Sequence, residues 1–427
     1  MSNNNFVQKE KAILVGVIHG NLDEKKVDQH LDELSLLTET AGGEVVGYVK
    51  QKLNRINPSY FIGTGKANEV INIAKEQNAS IIIFDDELSP SHVKNFNKIS
   101  EEIKVIDRSA LILDIFKQHA KTKEAKTQVE LAQLQYMLPR LTRAWTHLER
   151  QMGGIGTRAG AGETQIEVDR RLVRTRISKL KNELIKIDKE RLTQGKRRSD
   201  QFKVALVGYT NAGKSTLMNV MSGADVYTKD QLFATLDTTV RSLKLEGTHQ
   251  ILLSDTVGFI RKLPHHLIAS FKSTLNEVIL ADLILIVLDA SSNQILDHYK
   301  TIIGVLEELG ASRHPTLVVM NKIDQLNSTS KINHLKLKFP DSIFVSALNQ
   351  LKLNQLNAKI IQMIDQNLEE LDLLFSYKEA KKIAIAQEGV EVMERKYNND
   401  HVKLKVKGTS KKIGQLITIL DKKKTSN

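Results

Sequence analysis

The chain of 427 residues contains 41% hydrophobic residues, carries a formal net charge of +12 at pH 7 and has no cysteine. This length suits two to four domains of roughly 100–200 residues each, and the lack of cysteine excludes a disulfide framework. The most apolar run, 278–290, contains Asp282 and is shorter than the roughly 20 residues of a membrane span, so we expect a cytoplasmic protein without integral membrane association.

Short β-rich runs alternate with helical patterns in the first 120 residues. Strands are predicted at 12–18, 44–49, 80–84 and 103–106, and helices at 25–40, 67–77 and 90–99. This alternation predicts an N-terminal α/β domain, residues 1–120, with a largely parallel sheet. Gly63-Thr64-Gly65-Lys66 opens a helix, where we favour a sharp turn or an RNA phosphate contact over the alternative of a second nucleotide site.

Residues 121–198 hold most of the excess positive charge, with 19 Lys or Arg against 9 Asp or Glu. Two heptad series lie on either side of a glycine-rich stretch, 153–162, and they predict an antiparallel helical hairpin with that stretch as its tip loop. Pro139 predicts a kink or a break in the first helix. The series are Leu131, Leu134, Leu138, Leu141, Trp145 and Leu148, then Ile166, Val173, Ile177, Leu180, Leu184 and Ile187.

The charge of the hairpin alone leaves two interpretations open. Arginines near the tip suit RNA phosphates, whereas a solvated coiled coil that only connects domains would carry the same charges. The candidate RNA-binding residues are Arg150, Gly153, Gly154, Gly156, Arg158, Arg170, Arg171 and Arg174.

The run Gly208-Tyr209-Thr210-Asn211-Ala212-Gly213-Lys214-Ser215-Thr216 follows the apolar residues 204–207 and precedes a helical pattern. A strand, a glycine-containing loop and a helix N-terminus together form a phosphate cradle. Lys214 supplies the charge that reaches the β and γ phosphates, and the Ser215 hydroxyl is a ligand for Mg²⁺. We therefore predict a nucleoside triphosphate site.

Three later segments complete this site. The strand 251–255 ends in Asp255-Thr256-Val257-Gly258, where Asp255 lies near Mg²⁺ and the Gly258 amide faces the γ-phosphate. Asn321-Lys322-Ile323-Asp324 selects guanine, because the Asp324 carboxylate accepts from the N1–H and the 2-amino group of that base. Ser346-Ala347-Leu348 closes over the base. GTP is thus the expected nucleotide.

The predicted GTPase domain, residues 199–368, has a three-layer α/β fold. Its predicted strands lie near 203–208, 243–246, 251–255, 283–289, 316–320 and 343–345. A small basic α/β domain, 369–427, follows and contains an alternating basic strand at 401–407. That strand suits RNA or ribosomal-protein contact, and a solvated edge strand is the equal alternative.

Together these motifs, with Phe233-Ala234-Thr235-Leu236-Asp237, resemble the HflX family of translation-factor-class GTPases. Two further segments carry the resemblance outside the nucleotide motifs: 153–165 followed by Asp169-Arg170-Arg171, and Tyr60 to Lys66. It covers about residues 10–365. The resemblance implies binding to the large ribosomal subunit and the 70S ribosome, including ribosomal RNA, and the splitting or rescue of stalled ribosomes, with the tip loop 153–162 directed to the peptidyl transferase region.

The resemblance also implies residue roles. Thr235 is the metal-sensing threonine of the first switch, beside Ser215 as the other metal ligand, so Lys214, Thr235 and Gly258 are the predicted catalytic residues. Phe259 stands where many GTPases place a water-orienting glutamine, so we predict slow hydrolysis that the ribosome stimulates. Asn211 resembles an asparagine that holds K⁺ in related GTPases, although a role in shaping the loop is preferred.

The cofactor and partner expectations are thus GTP or GDP with Mg²⁺, a ribosome partner and a monomeric protein. Two alternatives remain open beside the ribosome-splitting reading. One is a GTPase that assembles ribosomes or remodels ribosomal RNA, and the other is a signalling GTPase whose hairpin recruits a protein.

Overall fold

The structure is a computed structural model that describes most of the chain. The described residues are 9–20, 22–141, 165–195, 201–223, 232–233, 235–245, 250–262, 272–326, 328–366, 368–387, 390–398 and 400–422.

The N-terminal part is a four-stranded parallel sheet in the order β2-β1-β3-β4 with helices on its faces. Strand β3 is buried along its whole length, because helices cover both faces of a parallel sheet. The predicted parallel α/β arrangement is confirmed. The elements are β1 (Lys11–Ile18), α1 (Glu24–Thr40), β2 (Glu44–Lys52), α2 (Thr64–Glu76), β3 (Ile81–Phe84), α3 (Pro90–Ile99), β4 (Lys104–Asp107) and α4 (Arg108–His119).

A helical pair follows this sheet. Helix α5 (Lys123–Met137) starts at Thr122, whose hydroxyl accepts from the Ala125 amide at 3.1 Å. It gives way to a 3₁₀ turn, Leu138–Arg140, so the break predicted from Pro139 is present. Helix α6 (Gln165–Gly195) packs against α5. Ile166 and Ile187, at the two ends of the α6 series, are half-buried and do not belong to the seam cluster. The predicted seam is confirmed for eight residues: Leu131, Leu134, Leu138, Leu141, Val173, Ile177, Leu180 and Leu184. Trp145 and Leu148 lie outside the described residues.

A six-stranded sheet in the order β10-β9-β8-β5-β7-β6 forms the third part. All its strand pairs are parallel except β6–β7. The elements are β5 (Phe202–Gly208), α7 (Lys214–Met221), β6 (Thr239–Lys244), β7 (Gln250–Asp255), α8 (Lys272–Ile279), β8 (Leu283–Asp289), α9 (Ile295–Glu308), β9 (Thr316–Asn321), α10 (Thr329–Lys338), β10 (Ile343–Phe344) and α11 (Leu353–Gln366).

Strand β6 corrects one prediction. The sequence pattern indicated a strand at 243–246, whereas the strand runs over Thr239–Lys244 and ends two residues earlier. Its position at the sheet edge explains the error, because only Leu243 of its six residues is buried and the apolar alternation is therefore weak.

The C-terminal part corrects another. The sequence left open a solvated edge strand at 401–407, but β13 is the central strand of an antiparallel sheet in the order β11-β13-β12. Carboxylates of β11 neutralise its lysines, with Lys405 to Glu370 at 2.7 Å and Lys403 to Asp372 at 3.0 Å. The elements are β11 (Leu368–Ser376), α12 (Ala380–Ala386), β12 (Glu391–Tyr397), β13 (His401–Thr409) and α13 (Ser410–Lys422).

One buried apolar cluster runs from the N-terminal sheet through α4 and α5 into the six-stranded sheet. The Phe116 ring of α4 meets the Phe233 ring edge to face at 4.6 Å. The two parts therefore share a core. The division at residues 120, 198 and 368 stays a prediction. Among the described ranges, no helix has the length and apolar character to cross a bilayer.

Candidate nucleotide site

The loop between β5 and α7 has the backbone of a phosphate cradle. Gly213 caps α7 with a φ of +88°, and a Cβ there would lie 2.2 Å from the Asn321 amide nitrogen. Only glycine fits this left-handed position and this close approach. Asn211 also has a positive φ, +60°, which asparagine adopts more readily than most residues. The helix N-terminus is thus left open toward the loop interior.

Lys214 lies inside this loop and is 6% exposed. Its Nζ donates to the carbonyl oxygens of Tyr209 at 3.0 Å and Gly208 at 3.1 Å. Burial lowers the pKa of Lys214 from 10.5 to about 8, while Asp255 acts in the opposite direction. A buried ammonium group with neutral partners is ready to stabilise an added anion, so the residue fits a phosphate.

Three oxygen-bearing side chains meet beside the loop. The Ser215 hydroxyl donates to Asp255 Oδ2 at 2.6 Å and lies 2.7 Å from the Thr235 hydroxyl. Asp255 is 2% exposed, and within the described part of the chain its Oδ1 has no hydrogen-bond partner. Burial raises the pKa of Asp255, against the effect of the Lys214 ammonium. A cation at this cluster would satisfy the buried carboxylate, and an all-oxygen set suits Mg²⁺.

The segment after β7 lies directly against the phosphate loop. The Thr210 amide donates to the Phe259 carbonyl at 2.8 Å, and the Phe259 amide donates to the Gly208 carbonyl at 2.9 Å. A Cβ on Gly258 would lie 2.9 Å from the Thr210 Cα and 3.2 Å from Lys214 Nζ. Gly258 therefore permits this approach. The Phe259 ring is 2% exposed in the apolar core, so it does not face the phosphate position.

Asn321 connects the loop to the predicted base-recognition segments. Its side chain donates to the Ala212 carbonyl at 2.9 Å and accepts from the Ala347 amide at 2.9 Å. The Lys322 ammonium pairs with Asp289 at 3.0 Å. Asp324 lies in the 3₁₀ turn Ile323–Gln325 with an exposed side chain. The asparagine thus fixes the two base segments against the phosphate loop.

A cavity of about 570 Å³ brings most predicted phosphate and metal residues together. Gly208, Tyr209, Ala212 and Val257 do not line it, nor do the base-recognition residues Asn321 to Asp324 and Ser346 to Leu348; Ala234 lies outside the described residues. The predicted residues that line it are Thr210, Asn211, Gly213, Lys214, Ser215, Thr216, Phe233, Thr235, Leu236, Asp237, Asp255, Thr256 and Gly258.

Part of the cavity wall was missed by the sequence reasoning. Gln118, His119 and Lys121, at the end of α4, line it from the N-terminal part, and Arg241 lines it from β6. The first three lie roughly 90 residues before the phosphate loop, and none of the four belongs to a nucleotide motif. Only tertiary packing places them there.

Tyr209 was predicted to bind the cofactor, but its side chain points elsewhere. Its hydroxyl donates to Glu33 and accepts from the Arg261 amide at 2.8 Å, and its ring stacks on His298 at 3.9 Å. Tyr209 thus contributes its backbone to the cradle and its side chain to the contact with the N-terminal part.

An ion-pair cluster fixes the segment after Gly258 against the same part of the chain. Asp85, at the end of β3, accepts from Arg261 at 2.7 Å and from Arg108 at 3.2 Å, and Lys262 lies at 3.1 Å. Burial raises the pKa of Asp85, but the Arg261 and Arg108 guanidinium groups outweigh it and hold the pKa well below its usual value. No sequence pattern indicates this cluster, because its members lie up to 177 residues apart.

The N-terminal glycine motif, Gly63 to Lys66, makes contacts with neighbouring residues of the N-terminal part. The Gly63 amide donates to the Gln51 side chain at 2.9 Å, and Lys66 pairs with Glu69 at 2.7 Å. The Gly63 amide and the Lys66 ammonium, two of the groups that an anion would use, already have partners. This arrangement favours the sharp-turn interpretation over a second nucleotide site.

The arginines of α6 divide into two groups. Arg171 and Arg174 are exposed and line a surface depression of about 550 Å³ with Arg170, which also donates to the Leu141 carbonyl at 3.2 Å. Arg176, on the same helix, instead pairs across the hairpin with Glu130 at 2.7 and 2.9 Å. Arg150, Gly153, Gly154, Gly156 and Arg158 lie outside the described residues.

Comparisons with sequence families divide the chain in the same order. Residues 28–117 match a family described as GTP-binding GTPase N-terminal, and residues 119–198 match GTP-binding GTPase Middle Region. Residues 203–322 match a family described as 50S ribosome-binding GTPase. A GTP-binding protein from the hyperthermophilic archaeon Sulfolobus solfataricus, solved in complex with GDP, is 26% identical, with a TM-score of 0.43 and coverage of 83% of this chain and 98% of that one.

Curated relatives agree over most of the chain. GTPase HflX of Flavobacterium psychrophilum is 54% identical over 74% of this chain and 76% of its own length. That of Caldanaerobacter subterraneus subsp. tengcongensis is 43% identical over 94% and 91%, and that of Escherichia coli K12 is 46% identical over 79% of each. The chain therefore belongs to the GTPase HflX family, and its reaction is the hydrolysis of GTP.

Proposed function

We propose that this GTPase binds the large ribosomal subunit through its N-terminal domain and basic hairpin, and couples GTP binding and hydrolysis to the splitting or rescue of stalled ribosomes. The observation that carries the proposal is the direct attachment of two segments of the nucleotide site to the N-terminal half. In the first switch, around Thr235, Asp237 binds Thr122, and in the segment after Gly258, the second switch, Arg261 binds Asp85. A rearrangement of these segments on GTP binding or hydrolysis would therefore act on the N-terminal half, which bears the exposed arginines of α6. The description of the matched family as ribosome-binding supports the same partner.

In the proposed site Lys214 binds the β and γ phosphates, and the Gly258 amide binds the γ-phosphate. Ser215 and Thr235 hold Mg²⁺ with Asp255 nearby. When bound there, Mg²⁺ would supply positive charge that offsets the negative charge developing during phosphoryl transfer. Phe259 stands where many GTPases place a water-orienting glutamine, and its ring is buried in the core, so this side chain cannot orient the attacking water. We propose slow hydrolysis in isolation and faster hydrolysis on the ribosome. We also propose that the protein is cytoplasmic and monomeric, which agrees with a ribosomal partner.

The exposed arginines of α6 provide a mutational test of the RNA contact. Charge reversal at Arg171 and Arg174 should weaken binding to large subunits by about tenfold or more at low salt. With each phosphate contact that is lost, fewer counterions are released from the RNA on binding, and binding becomes less favourable. GTP affinity should stay unchanged, since the pair lies outside the nucleotide cavity. Co-sedimentation over a salt series measures the first effect, and nucleotide titration measures the second.

Reversal of Lys179 and Lys181 on the same helix is the matched control, because it changes the net charge equally outside the depression. Equal loss in both double variants would mean that bulk charge, and not these arginines, determines binding. Preference for precursor subunits over mature ones would favour the alternative of an assembly factor.

We propose that Asn211 shapes the phosphate loop and does not bind potassium. Its exposed side chain and left-handed backbone support a conformational role, because asparagine tolerates that region. Turnover should then be equal, within about twofold, in potassium and sodium chloride at matched ionic strength. Strong stimulation by potassium that Asn211→Gly removes would assign a K⁺ ligand instead.

A further inference from the structure

Asp237 follows the predicted metal-binding Thr235 by two residues, and its contacts lead away from the nucleotide. Its Oδ2 accepts from the backbone amides of Lys121 at 3.1 Å and Thr122 at 3.4 Å, and its Oδ1 accepts from the Thr122 hydroxyl. Thr122 is the residue that caps helix α5. The carboxylate thus lies at the N-terminus of the first hairpin helix, where the free amides and the helix dipole favour a negative charge.

A second contact holds the other side of Thr235. The Phe233 ring is 2% exposed and packs against Phe116 at the end of α4. Phe233 itself has a left-handed φ of +55°, which is uncommon for a large side chain and needs tertiary contacts to be stable. Residues 233 and 237 are therefore both attached to the corner between α4 and α5, and Thr235 lies between them.

Thr235 is where this attachment meets the nucleotide site. Its hydroxyl lies 2.7 Å from Ser215 Oγ, which in turn donates to Asp255. The first switch is thus placed at the metal position by contacts that involve no nucleotide. In the other direction, α5 packs along α6 through the leucine seam, and Arg176 joins the helices through Glu130.

We propose that Asp237 is a positioning residue: by binding the N-terminus of α5 it holds Thr235 at the magnesium position and joins the first switch to the base of the hairpin. The link to the hairpin rests on the proposed ribosomal function. The positioning of Thr235 does not, because it concerns the isolated protein.

The test uses the full chain without ribosomes. In Asp237→Ala, the Mg²⁺ concentration for half-maximal binding of a fluorescent, non-hydrolysable GTP analogue should rise by about tenfold, the loss expected for charge-assisted hydrogen bonds at a partly exposed site. GDP affinity should change by less than about twofold, because the β-phosphate contacts come from the phosphate loop. Hydrogen exchange in the nucleotide-free protein should become faster in peptides that contain residues 121 and 122.

Three further variants separate positioning from direct contact. Thr122→Val removes the hydroxyl that donates to Asp237 and, with it, the cap of helix α5. It should reproduce part of the loss, with a double variant less impaired than the product of the single effects. Asp237→Asn keeps an oxygen acceptor and should recover part of the binding. Asp282→Ala is the matched control, because Asp282 accepts the Lys203 amide at 2.8 Å at the opposite end of β5; it should change neither readout.

An unchanged Mg²⁺ dependence in Asp237→Ala would overturn the proposal. The proposal would also fail if Thr122→Val left the Mg²⁺ dependence unchanged and the double variant showed only the product of the two single effects. Asp237 would then act on the nucleotide or the metal directly. If the protein without substitutions did not bind ribosomes, the proposed function would be contradicted, but the positioning of Thr235 by Asp237 would still stand.

Discussion

Lys214→Ala should reduce GTP affinity by roughly 100-fold or more and lower turnover to the background rate. The side chain is expected to contact two phosphates, and each charge-assisted hydrogen bond contributes about 1.5–3 kcal/mol. The fold should remain, because the variant removes a buried ammonium group whose partners in the nucleotide-free chain are two neutral carbonyl groups. Nucleotide titration measures affinity, and the melting temperature checks the fold. Near-normal GTP affinity in a folded variant would place the phosphates elsewhere.

The pH dependence of GTP binding examines the same side chain without a mutation. Burial lowers the pKa of Lys214 to about 8 in the nucleotide-free protein, and adjacent phosphates would raise it again. Binding then takes up a proton above pH 8, so GTP affinity should be flat below pH 8 and fall by up to about tenfold per pH unit above it. Lys214→Ala should remove this slope between pH 7 and 9. A flat profile in the unchanged protein would contradict the placement.

Asp324→Asn should change the base preference from guanine to xanthine. In the proposed site the carboxylate would accept from two donors of guanine, whereas the asparagine amide would leave one donor unpaired and instead suit the C2 carbonyl of xanthine. We expect a loss of roughly 100-fold in GTP affinity and a gain for xanthosine triphosphate, because a site built for hydrogen bonds discriminates strongly against a mismatched partner. Competition between the two nucleotides measures the change.

Asp289→Asn is the matched control for this substitution. It breaks the ion pair with Lys322 on the same loop but leaves the base-facing carboxylate in place, so GTP should remain preferred. If Asp324→Asn kept its guanine preference, recognition of the base would lie outside the segment Asn321 to Asp324.

Features fixed by local chemistry were predictable from the sequence. The phosphate loop needs a lysine, a hydroxyl and a glycine at a left-handed position, and Gly213 occupies that position with φ +88°. Helix α5 ends at Met137, just before Pro139, because proline has no amide hydrogen to donate and its ring clashes with the preceding helical turn. The leucine seam followed from its heptad spacing.

Features that depend on distant partners were not predictable. The lysines of β13 resemble a nucleic-acid surface in sequence, yet Glu370 and Asp372 neutralise them from a strand roughly 30 residues earlier. Asp85 contacts Arg261, and Lys121 lines the cavity beside the phosphate loop, so each lies near residues more than 80 positions away in the chain. In the sequence these residues look like ordinary surface charges. These contacts attach the predicted switches to the N-terminal half, and they carry the functional proposal.

The most direct measurement is GTP turnover at fixed Mg²⁺ with and without purified large ribosomal subunits, repeated with a chain shortened within residues 153–162, the segment predicted from the sequence to form the tip loop. The proposed ribosome-activated switch predicts strong stimulation of the full-length protein and little or none of the shortened one, with equal turnover of the two in isolation. Turnover that large subunits leave unchanged in both proteins would contradict it.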